Sequence, residues 1–323
     1  QFIWIVSKPT SFASIQPTVA FWTLSAGTLF FALSKPPLRT VFSYLLWGGL
    51  VLSILRIGDV ALSWATFGAI HASMFLLVPL ALSLSRMRDS AAWGFVSIAI
   101  VAGISVSASR TATAIAFALV MLHALLDRSS RLVTRMTVSA GSFLTIGATL
   151  ILIEEVRNKF FGPGDRGVGF ISGPSEPQGD PGSSVEGDPG SSVVVEFWLN
   201  TNGRANVWSE ILEEAVDGNL LIGRGPGFAR EFTATNFGWD HPHNEYLRIL
   251  ADFGALGLGT FIVTLVAVFF AALSKAETSR SASFVGVGVI ISIAVLSLTD
   301  LPLVSIGVIL PSVAALGWAL RSS

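Results

Sequence analysis

A polar cluster from Trp239 to Arg248, reading WDHPHNEYLR, holds two of the four histidines of the chain among acidic residues. Pro242 disfavours a helical conformation at His241, and Asn244 is a good N-cap for a helix that continues through Leu250. His243 would then lie at a helix N-terminus, where the positive end of the helix dipole disfavours a charged imidazolium. Since a neutral imidazole can accept a proton, we predict that His243 is a general base.

Two other interpretations of this cluster stay open. Its carboxylates and imidazoles could ligate a divalent metal such as zinc or manganese; the candidate ligands are Asp240, His241, His243 and Glu245. Such alternating spacing binds a metal only on an extended segment, and no distant His or Cys completes the set, so we expect neither a metal nor a cofactor. In the other interpretation, His243 is a loop residue held by local hydrogen bonds.

Two arginines elsewhere in the chain have the chemistry to bind a phosphate. Arg110 lies in the run SASRT, and Arg204 follows TNG at the start of an amphipathic stretch. A guanidinium group is permanently charged, and its planar fork of donors matches phosphate oxygens. We therefore predict that both arginines bind a phosphate-bearing ligand. Either one alone could equally be solvated or contact a lipid headgroup.

The chain that must position these residues is strongly apolar. Of its 323 residues, 52% are hydrophobic and 13% are charged, and its mean hydropathy is +0.68. A soluble domain carries about 25% charged residues, so this composition excludes a soluble enzyme and a disordered protein. The net charge of −1 excludes a nucleic-acid binder, because it gives no long-range attraction for DNA or RNA. The lack of cysteine excludes disulfides and thiolate metal sites.

Apolar stretches recur along the chain, and about 20 apolar residues suffice to cross the hydrocarbon core of a membrane. They occur at 12–33, 41–57, 62–84, 91–108, 111–126, 133–153, 254–273, 283–299 and 303–320. We therefore predict an all-α integral membrane protein with about nine transmembrane helices. Six spans belong to a part at 1–153 and three to a part at 253–323, on either side of one large loop at 154–252. Because the chain begins with Gln1 and no signal-type segment follows, we expect its true N-terminus to be missing.

Positive charge is distributed unequally between the two alternating sets of short connections. One set holds only Lys8, Arg56 and Arg110. The other set, with the C-terminus, holds Lys35, Arg39, Arg86, Arg88, Arg128, Arg131, Arg135, Lys275, Arg280 and Arg321. By the positive-inside rule the second set is cytoplasmic. The large loop, the corner at 109–110 and the turn at 298–301 are then predicted to lie outside.

The large loop contains two kinds of sequence. Residues 162–192 are rich in Gly, Pro and Ser and include the repeat GDPGSSVE–GDPGSSVV, so we predict a disordered insertion there. Residues 205–217 predict an amphipathic helix whose apolar face lies on the membrane surface or on the tops of the spans. That face consists of Val207, Trp208, Ile211, Leu212 and Ala215. GRGPGF at 223–228 predicts a tight glycine-rich turn.

Four elements together resemble the O-antigen ligase and polymerase superfamily. They are SVSASRTA at 105–112, GRANVWSEIL at 203–212, LIGRGPGFAR at 221–230 and HPHNEYLRILADFGALGLGTFI at 241–262. In that family a Ser-Arg element occupies an early outer corner. An Arg–Trp helix, a Gly-x-Gly turn and a His-Asn-x-Tyr-Leu motif fill the large periplasmic loop. The resemblance covers roughly residues 95–275, and the Gly/Pro/Ser insertion departs from it.

The resemblance implies an inverting, metal-independent glycosyltransferase of the bacterial cytoplasmic membrane. Such an enzyme moves a glycan from a polyprenyl-diphosphate carrier to an acceptor hydroxyl, on a glycan or a lipid, outside that membrane. By this resemblance His243 deprotonates the acceptor, while Arg110 and Arg204 hold the diphosphate. We further expect substrate contacts from Trp208, Arg224, His241, Asn244 and Tyr246. Trp198, Trp208 and Trp239 could offer flat faces to sugars or anchor the chain at the membrane interface.

A transporter or flippase of lipid-linked glycans is the rival hypothesis. It predicts ionisable or broken-helix sites near the bilayer midplane and two related halves. The apolar stretches are almost free of charge at their centres, and six plus three spans do not divide evenly, so the sequence favours a transferase. A structural membrane protein would leave the His–Arg groups unexplained. Ligase and polymerase activity both stay open, because they use the same donor and differ in acceptor.

Overall fold

The computed structural model describes residues 38–62, 69–126, 131–161 and 204–321, and these residues form an all-helical protein. None of the described residues lies in a β-strand. The helices are α1 (Leu38–Leu62), α2 (Ala69–Ser85), α3 (Ala92–Val106), α4 (Arg110–Leu126), α5 (Leu132–Leu152), α6 (Glu154–Phe161), α7 (Arg204–Asp217), α8 (Phe228–Phe237), α9 (Glu245–Leu273), α10 (Arg280–Thr299) and α11 (Ile306–Arg321). Our predictions for 12–33, for the insertion at 162–192 and for Trp198 fall outside the described residues.

Eight of the predicted apolar stretches coincide with helices, namely α1 to α5 and α9 to α11. Three helices are long and apolar enough to cross a membrane, by length and composition: Leu132–Leu152, Glu245–Ala276 and Arg280–Thr299. Five others are apolar but shorter: Leu45–Ile57, Ala72–Ser85, Ala92–Val106, Arg110–Leu126 and Val308–Arg321. The described part of the chain therefore holds fewer full-length candidate spans than the nine predicted.

Helix α2 lies at the centre of the bundle. It packs against α1, α3, α4, α10 and α11, and its side chains Leu76, Leu80 and Leu84 are completely buried. Helix α10 is the second central element, because it contacts α2, α4, α9 and α11. These two helices are apolar around most of their circumference, which is typical of helices that are buried in a bundle.

The two ends of the bundle differ in charge. Short turns reverse the chain between α2, α3 and α4, so these helices run antiparallel. The Ser281 hydroxyl donates to the Ser85 carbonyl at 3.3 Å, which places the start of α10 beside the end of α2. This end carries the described arginines that the charge pattern predicts to be cytoplasmic: Arg86, Arg88, Arg131, Arg135, Arg280 and Arg321.

Helices α5 and α9 present wide apolar faces at the surface of the bundle. The exposed side chains include Val133, Leu144 and Leu152 on α5, and Val263, Val266 and Phe270 on α9. Soluble monomers rarely expose continuous apolar surface of this extent. Such faces are expected of helices that contact lipid.

Helices α7, α8 and the start of α9 enclose a small core of their own. Its buried members are Val207, Ile211, Ala215, Ala229 and Ala251. The apolar face predicted for α7 is therefore largely covered by protein, on α8 and α9, and Leu212 stands apart from it with 44% exposure. Sequence analysis did not predict α8 or α6, whereas α9 begins at Glu245, directly after the predicted N-cap Asn244, and continues into the apolar stretch predicted from 254.

Helix α9 is broken at Gly254, where φ is 67° and ψ is −168°. The N–H groups of residues 224 and 225 donate to the carbonyls of 251 and 252 at 2.9 and 3.0 Å. In return, the N–H groups of 255 and 256 donate to the carbonyls of 220 and 221 at 2.7 and 3.1 Å. The glycine-rich turn thus supplies the main-chain partners that the break removes, and a Cβ on Gly254 would lie 2.4 Å from the Leu221 carbonyl.

Candidate active site

His243 stands directly before the N-terminus of α9. Asn244 is the N-cap, as predicted, and its side-chain oxygen accepts from the N–H of Leu247 at 3.0 Å. His243 itself has a φ of 51°, in the left-handed region that residues other than glycine seldom adopt. Strained backbone of this kind clusters at active sites, where the surrounding structure holds it in place.

Asp300 is the partner of His243. Its Oδ1 lies 3.5 Å from Nδ1 of the imidazole, and its side chain is 13% exposed against 36% for His243. A carboxylate at Nδ1 favours the tautomer with the proton on that nitrogen, which leaves the Nε2 lone pair free to accept another. Asp300 caps the C-terminus of α10, so His243 and its partner come from different helices.

Arg204, the first residue of α7, reaches the same end of α10. Its Nη1 donates to the Thr299 carbonyl at 2.7 Å. Burial lowers the pKa of the Arg204 guanidinium; the carboxylate of Asp300 opposes this shift, and the positive charge of Arg110 adds to it. The guanidinium stays protonated all the same. Two arginines and one carboxylate therefore share one electrostatic environment.

Arg110, the first residue of α4, is held near this group by its neighbours. The Thr111 and Thr299 hydroxyls are 2.8 Å apart, which ties the start of α4 to the end of α10. The hydroxyl of Ser109 accepts from the N–H of Ala112 at 3.3 Å and so caps α4. Thr299 thus contacts both arginine-bearing segments, and the next residue, Asp300, contacts His243.

Two tryptophans flank His243. Trp208 on α7 donates its indole N–H to the Pro242 carbonyl at 2.7 Å, which fixes the residue that precedes His243. The ring of Trp239 stands edge-on to the His243 ring, with centroids 6.3 Å apart. Both indoles are half-buried. A flat apolar surface beside a base is suited to holding a sugar ring.

His241 is a weaker candidate for the base than His243. Burial lowers the pKa of His241 to about 4, and the positive charge of Arg230 also lowers it, while Asp240 opposes the shift. An imidazole with so low a pKa is a poor proton acceptor near neutral pH. Its Nδ1 is buried and has no hydrogen-bond partner among the described residues.

A buried charge cluster supports the first turns of α9. Arg248 is bracketed by two carboxylates on its own helix, bonding Glu245 and lying 3.2 Å from Asp252. All three side chains are at most 2% exposed. Asp252 also accepts from the N–H of Ala229 at 2.9 Å and thereby holds the start of α8. The Arg248 guanidinium thus bridges two carboxylates, and Asp252 links the segment that carries His243 to α8.

The other residues predicted to bind substrate have partners within the protein. Arg224 forms an ion pair with Glu214 at 2.7 Å and lies over the Phe228 ring. Tyr246 donates to the Ala294 carbonyl at 2.9 Å, and Asn244 is occupied as the N-cap. The structure brings His243, Arg204 and Arg110 together, with Trp208 and His241 adjoining through residue 242. A role in substrate binding for these residues stays a prediction.

Asp300, Thr299 and the charge cluster of α9 were not singled out by sequence analysis. One signal was available for Asp300, since it is the acidic residue in the short outer turn predicted at 298–301. Among the described residues, no three His, Cys, Asp or Glu side chains are grouped to hold a metal ion. Comparisons with protein families and with curated proteins find no match to this chain.

Proposed function

We propose that this protein is an integral membrane glycosyltransferase that moves a glycan from a polyprenyl-diphosphate carrier to an acceptor hydroxyl. One observation carries the proposal. A histidine paired with a carboxylate and two arginines, from four separate segments, converge at one end of the helical bundle. This combination suits a reaction in which a hydroxyl loses a proton and a diphosphate leaves.

In the proposed reaction His243 is the catalytic base. Its Nε2 accepts the proton of the acceptor hydroxyl, whose oxygen attacks the anomeric carbon of the donor sugar. The bond from that carbon to the diphosphate oxygen breaks, and the electron pair stays with the diphosphate. Because the hydroxyl attacks from the face opposite the diphosphate, the configuration is inverted. Asp300 is a positioning residue, because it orients the imidazole and stabilises the imidazolium that forms.

Arg204 and Arg110 are proposed to bind the diphosphate. A guanidinium has five N–H donors, and the bond of Arg204 to the Thr299 carbonyl uses one of them. The remaining donors suit the oxygens of a phosphate group. As the bond to the sugar breaks, negative charge grows on the leaving diphosphate, and two fixed positive charges stabilise it.

Trp208 and Trp239 are proposed to contact the acceptor or donor sugars. They adjoin His243 through the Pro242 carbonyl and through ring contact, respectively. A sugar ring stacked on either indole would lie close to the base. His241, Asn244, Tyr246 and Arg224 would then hold this part of the loop in shape and contact substrate at its edges.

We further propose that the chain spans the bacterial cytoplasmic membrane about nine times, with this site outside. Support comes from the eight apolar helices and from the exposed apolar faces of α5 and α9. The site lies at the ends of α3 and α10, opposite the arginine-rich end of the bundle. By the positive-inside rule that arginine-rich end faces the cytoplasm.

The test is a transfer assay with the purified full-length protein in lipid vesicles. A polyprenyl-diphosphate oligosaccharide is supplied as donor, and a lipid-linked glycan or a lipid core as acceptor. Elongated lipid-linked product indicates a polymerase, and transfer to the lipid core indicates a ligase. Movement of the donor across the bilayer without a new glycosidic bond would contradict the proposal and indicate a flippase.

The matched variants are His243→Ala and His241→Ala. Loss of a general base slows a reaction by about 10²–10⁴-fold, so we expect that loss for the first variant and a much smaller one for the second. Equal initial rates for the two variants, at equal protein level, would show that His243 is not the catalytic base.

A further inference from the structure

Helix α7 has a second apolar edge in addition to the face that packs on α8 and α9. The buried residues Val207, Ile211 and Ala215 recur every four positions and form one side of the helix. Leu212 and Val216, 44% and 54% exposed, lie about 100° further round the helix and point away from that core. Soluble helices normally carry polar residues at such positions.

The exposed edge continues beyond the end of α7. Leu220, Leu221 and Ile222 in the following turn are 45%, 57% and 43% exposed. The N–H of Leu256 donates to the Leu221 carbonyl, so this turn lies directly against α9 just past its break. Leu256 is itself 58% exposed. We name this surface the apolar ridge: Leu212, Val216, Leu220, Leu221, Ile222 and Leu256.

The apolar ridge runs into the apolar surface of α9. Past Leu256, the same helix exposes Ile262, Val263, Val266 and Phe270, and it is one of the candidate membrane spans. The surface is therefore continuous from α7 through the turn to the part of α9 that would contact lipid. Because the apolar ridge adjoins the beginning of this candidate span, it lies where the chain would enter the bilayer.

The acidic residues of α7 occupy a different side of the helix. Glu210, Glu213 and Asp217 are exposed, and on the helical wheel they lie beyond both the buried side and the ridge. Negative charge at this position is repelled by anionic headgroups, so association with lipid would depend on apolar area. The ridge would meet the membrane while the acidic side faces water.

We propose that the apolar ridge inserts into the outer leaflet of the membrane, at the boundary between headgroups and acyl chains. Helix α7 then lies in the interface, as amphipathic helices do, with Arg204 at its first residue and the ridge toward its last turn. Helix α7 and the turn after it are thereby held against the bilayer beside the site, within reach of a lipid-borne substrate. This inference rests on the membrane-spanning part of the proposed function and is independent of the reaction.

The test places a fluorescent probe at single cysteines, because these 323 residues include none. The full chain is reconstituted in phosphatidylcholine vesicles with an NBD label at Leu221→Cys. Two labelled controls are Glu213→Cys, on the acidic side of α7, and Phe270→Cys, exposed far along α9. Emission is quenched from the bilayer by spin-labelled phosphatidylcholine and from water by iodide. Val216→Cys replaces Leu221→Cys if that variant fails to fold.

We expect the label at 221 to show blue-shifted emission and to be quenched by spin-labelled lipid, and the label at 213 to be quenched by iodide. Iodide quenching at 221, with lipid quenching at 270, would overturn the ridge insertion and leave the spans intact. Quenching by neither agent at 221 would overturn it in favour of a protein partner such as a second copy. Iodide quenching at 270 would overturn the membrane span as well.

Discussion

The exposed fractions of the His243 and Asp300 side chains agree with the roles proposed for them. The imidazole is 36% exposed and can meet a hydroxyl, whereas the carboxylate behind it is 13% exposed and is shielded from water. Shielding strengthens the electrostatic interaction between the two groups, because the local dielectric is lower than that of water. A water-accessible Asp300 would orient the ring less strictly.

Replacement of Asp300 by Asn should lower kcat without raising KM for the donor, because loss of a negative charge beside Arg204 does not weaken the binding of an anion. The amide preserves the shape of the side chain and removes the charge that selects the tautomer and stabilises the imidazolium. At a separation of 3.5 Å we expect a loss of about 10²-fold in initial transfer rate. Asp240→Asn is the control, since Asp240 is exposed. A rate for Asp300→Asn equal to that of the control would show that His243 acts without this partner.

His241 should make the folded protein less stable in mild acid. Its pKa is about 4 in the folded state and about 6.5 when unfolded, so between these values the unfolded chain binds more protons. Stability therefore falls as pH decreases from 6.5 toward 4. His241→Gln cannot titrate, and its thermal midpoint in detergent should fall less over this range than that of the wild type. If the thermal midpoints of the two proteins changed in parallel with pH, the lowered pKa of His241 would be contradicted.

The position of His243 could be predicted from sequence because its determinants are local. Pro242 and Asn244 flank it, and both act through neighbouring backbone groups. Its partner could not be predicted in the same way. Asp300 lies 57 residues further on, and the two meet only because α9 packs along α10. Charge pattern indicated the side of the membrane for both residues but carried no information on distance.

At the scale of helices, the residues of the candidate site all lie at or next to helix ends. Arg110 and Arg204 are the first residues of α4 and α7, His243 adjoins the start of α9, and Asp300 follows the end of α10. Three helix N-termini at one site direct the positive ends of their helix dipoles there. Such an arrangement favours an anionic ligand more than either arginine would alone.

Lysine should not replace either arginine if both bind one diphosphate. A lysine supplies a point charge and lacks the planar, two-point geometry of a guanidinium. We expect Arg110→Lys and Arg204→Lys each to lower the initial transfer rate by about tenfold or more, and the double variant to show a non-additive loss. Arg88→Lys is the control, because Arg88 is exposed at the opposite end of the bundle. Near-wild-type rates for both site variants would exclude the diphosphate clamp.

The break in α9 should tolerate no side chain at Gly254. Its φ and ψ fall in a region that is essentially restricted to glycine, at a cost of about 1–3 kcal/mol for another residue. Contact of the added Cβ with the Leu221 backbone adds to this cost. Gly254→Ala should therefore lower the thermal midpoint of the purified protein. Gly259→Ala, on the same helix with open space around it, should leave the midpoint unchanged or raise it. Equal midpoints would mean that the break is not needed.

Helices were predictable from sequence where apolar periodicity was long, and less so where the loop folds on itself. The fully buried residues of α8, Ala229 and Thr233, are small and give little amphipathic signal. The apolar face predicted for α7 included both the buried side and Leu212 of the exposed ridge. Sequence alone cannot show which of two adjacent apolar sides of a helix is covered by other elements. Tertiary packing on α9 decides which residues are covered.

At the scale of the whole molecule, the charge asymmetry predicts an orientation that single cysteines can measure. Ser90 lies in the turn between α2 and α3, at the arginine-rich end, and Asn236 is on α8 beside the site; both are exposed. We expect a membrane-impermeant maleimide to label Asn236→Cys in intact cells and Ser90→Cys only after permeabilisation. The opposite result would place the site in the cytoplasm and exclude donors carried on the outer leaflet.

Thr299 and Asp300 have a consequence for how such a protein could be re-engineered. The segment from 204 to 244 carries Arg204, His243 and the flanking indoles, so it is the obvious unit to graft onto another membrane scaffold. The positions of Arg204 and His243, however, depend on the Thr299 carbonyl and the Asp300 carboxylate, which belong to α10 and lie outside this segment. If the proposed activity is correct, a graft should be active only in a scaffold where a helix end supplies the same carbonyl and carboxylate.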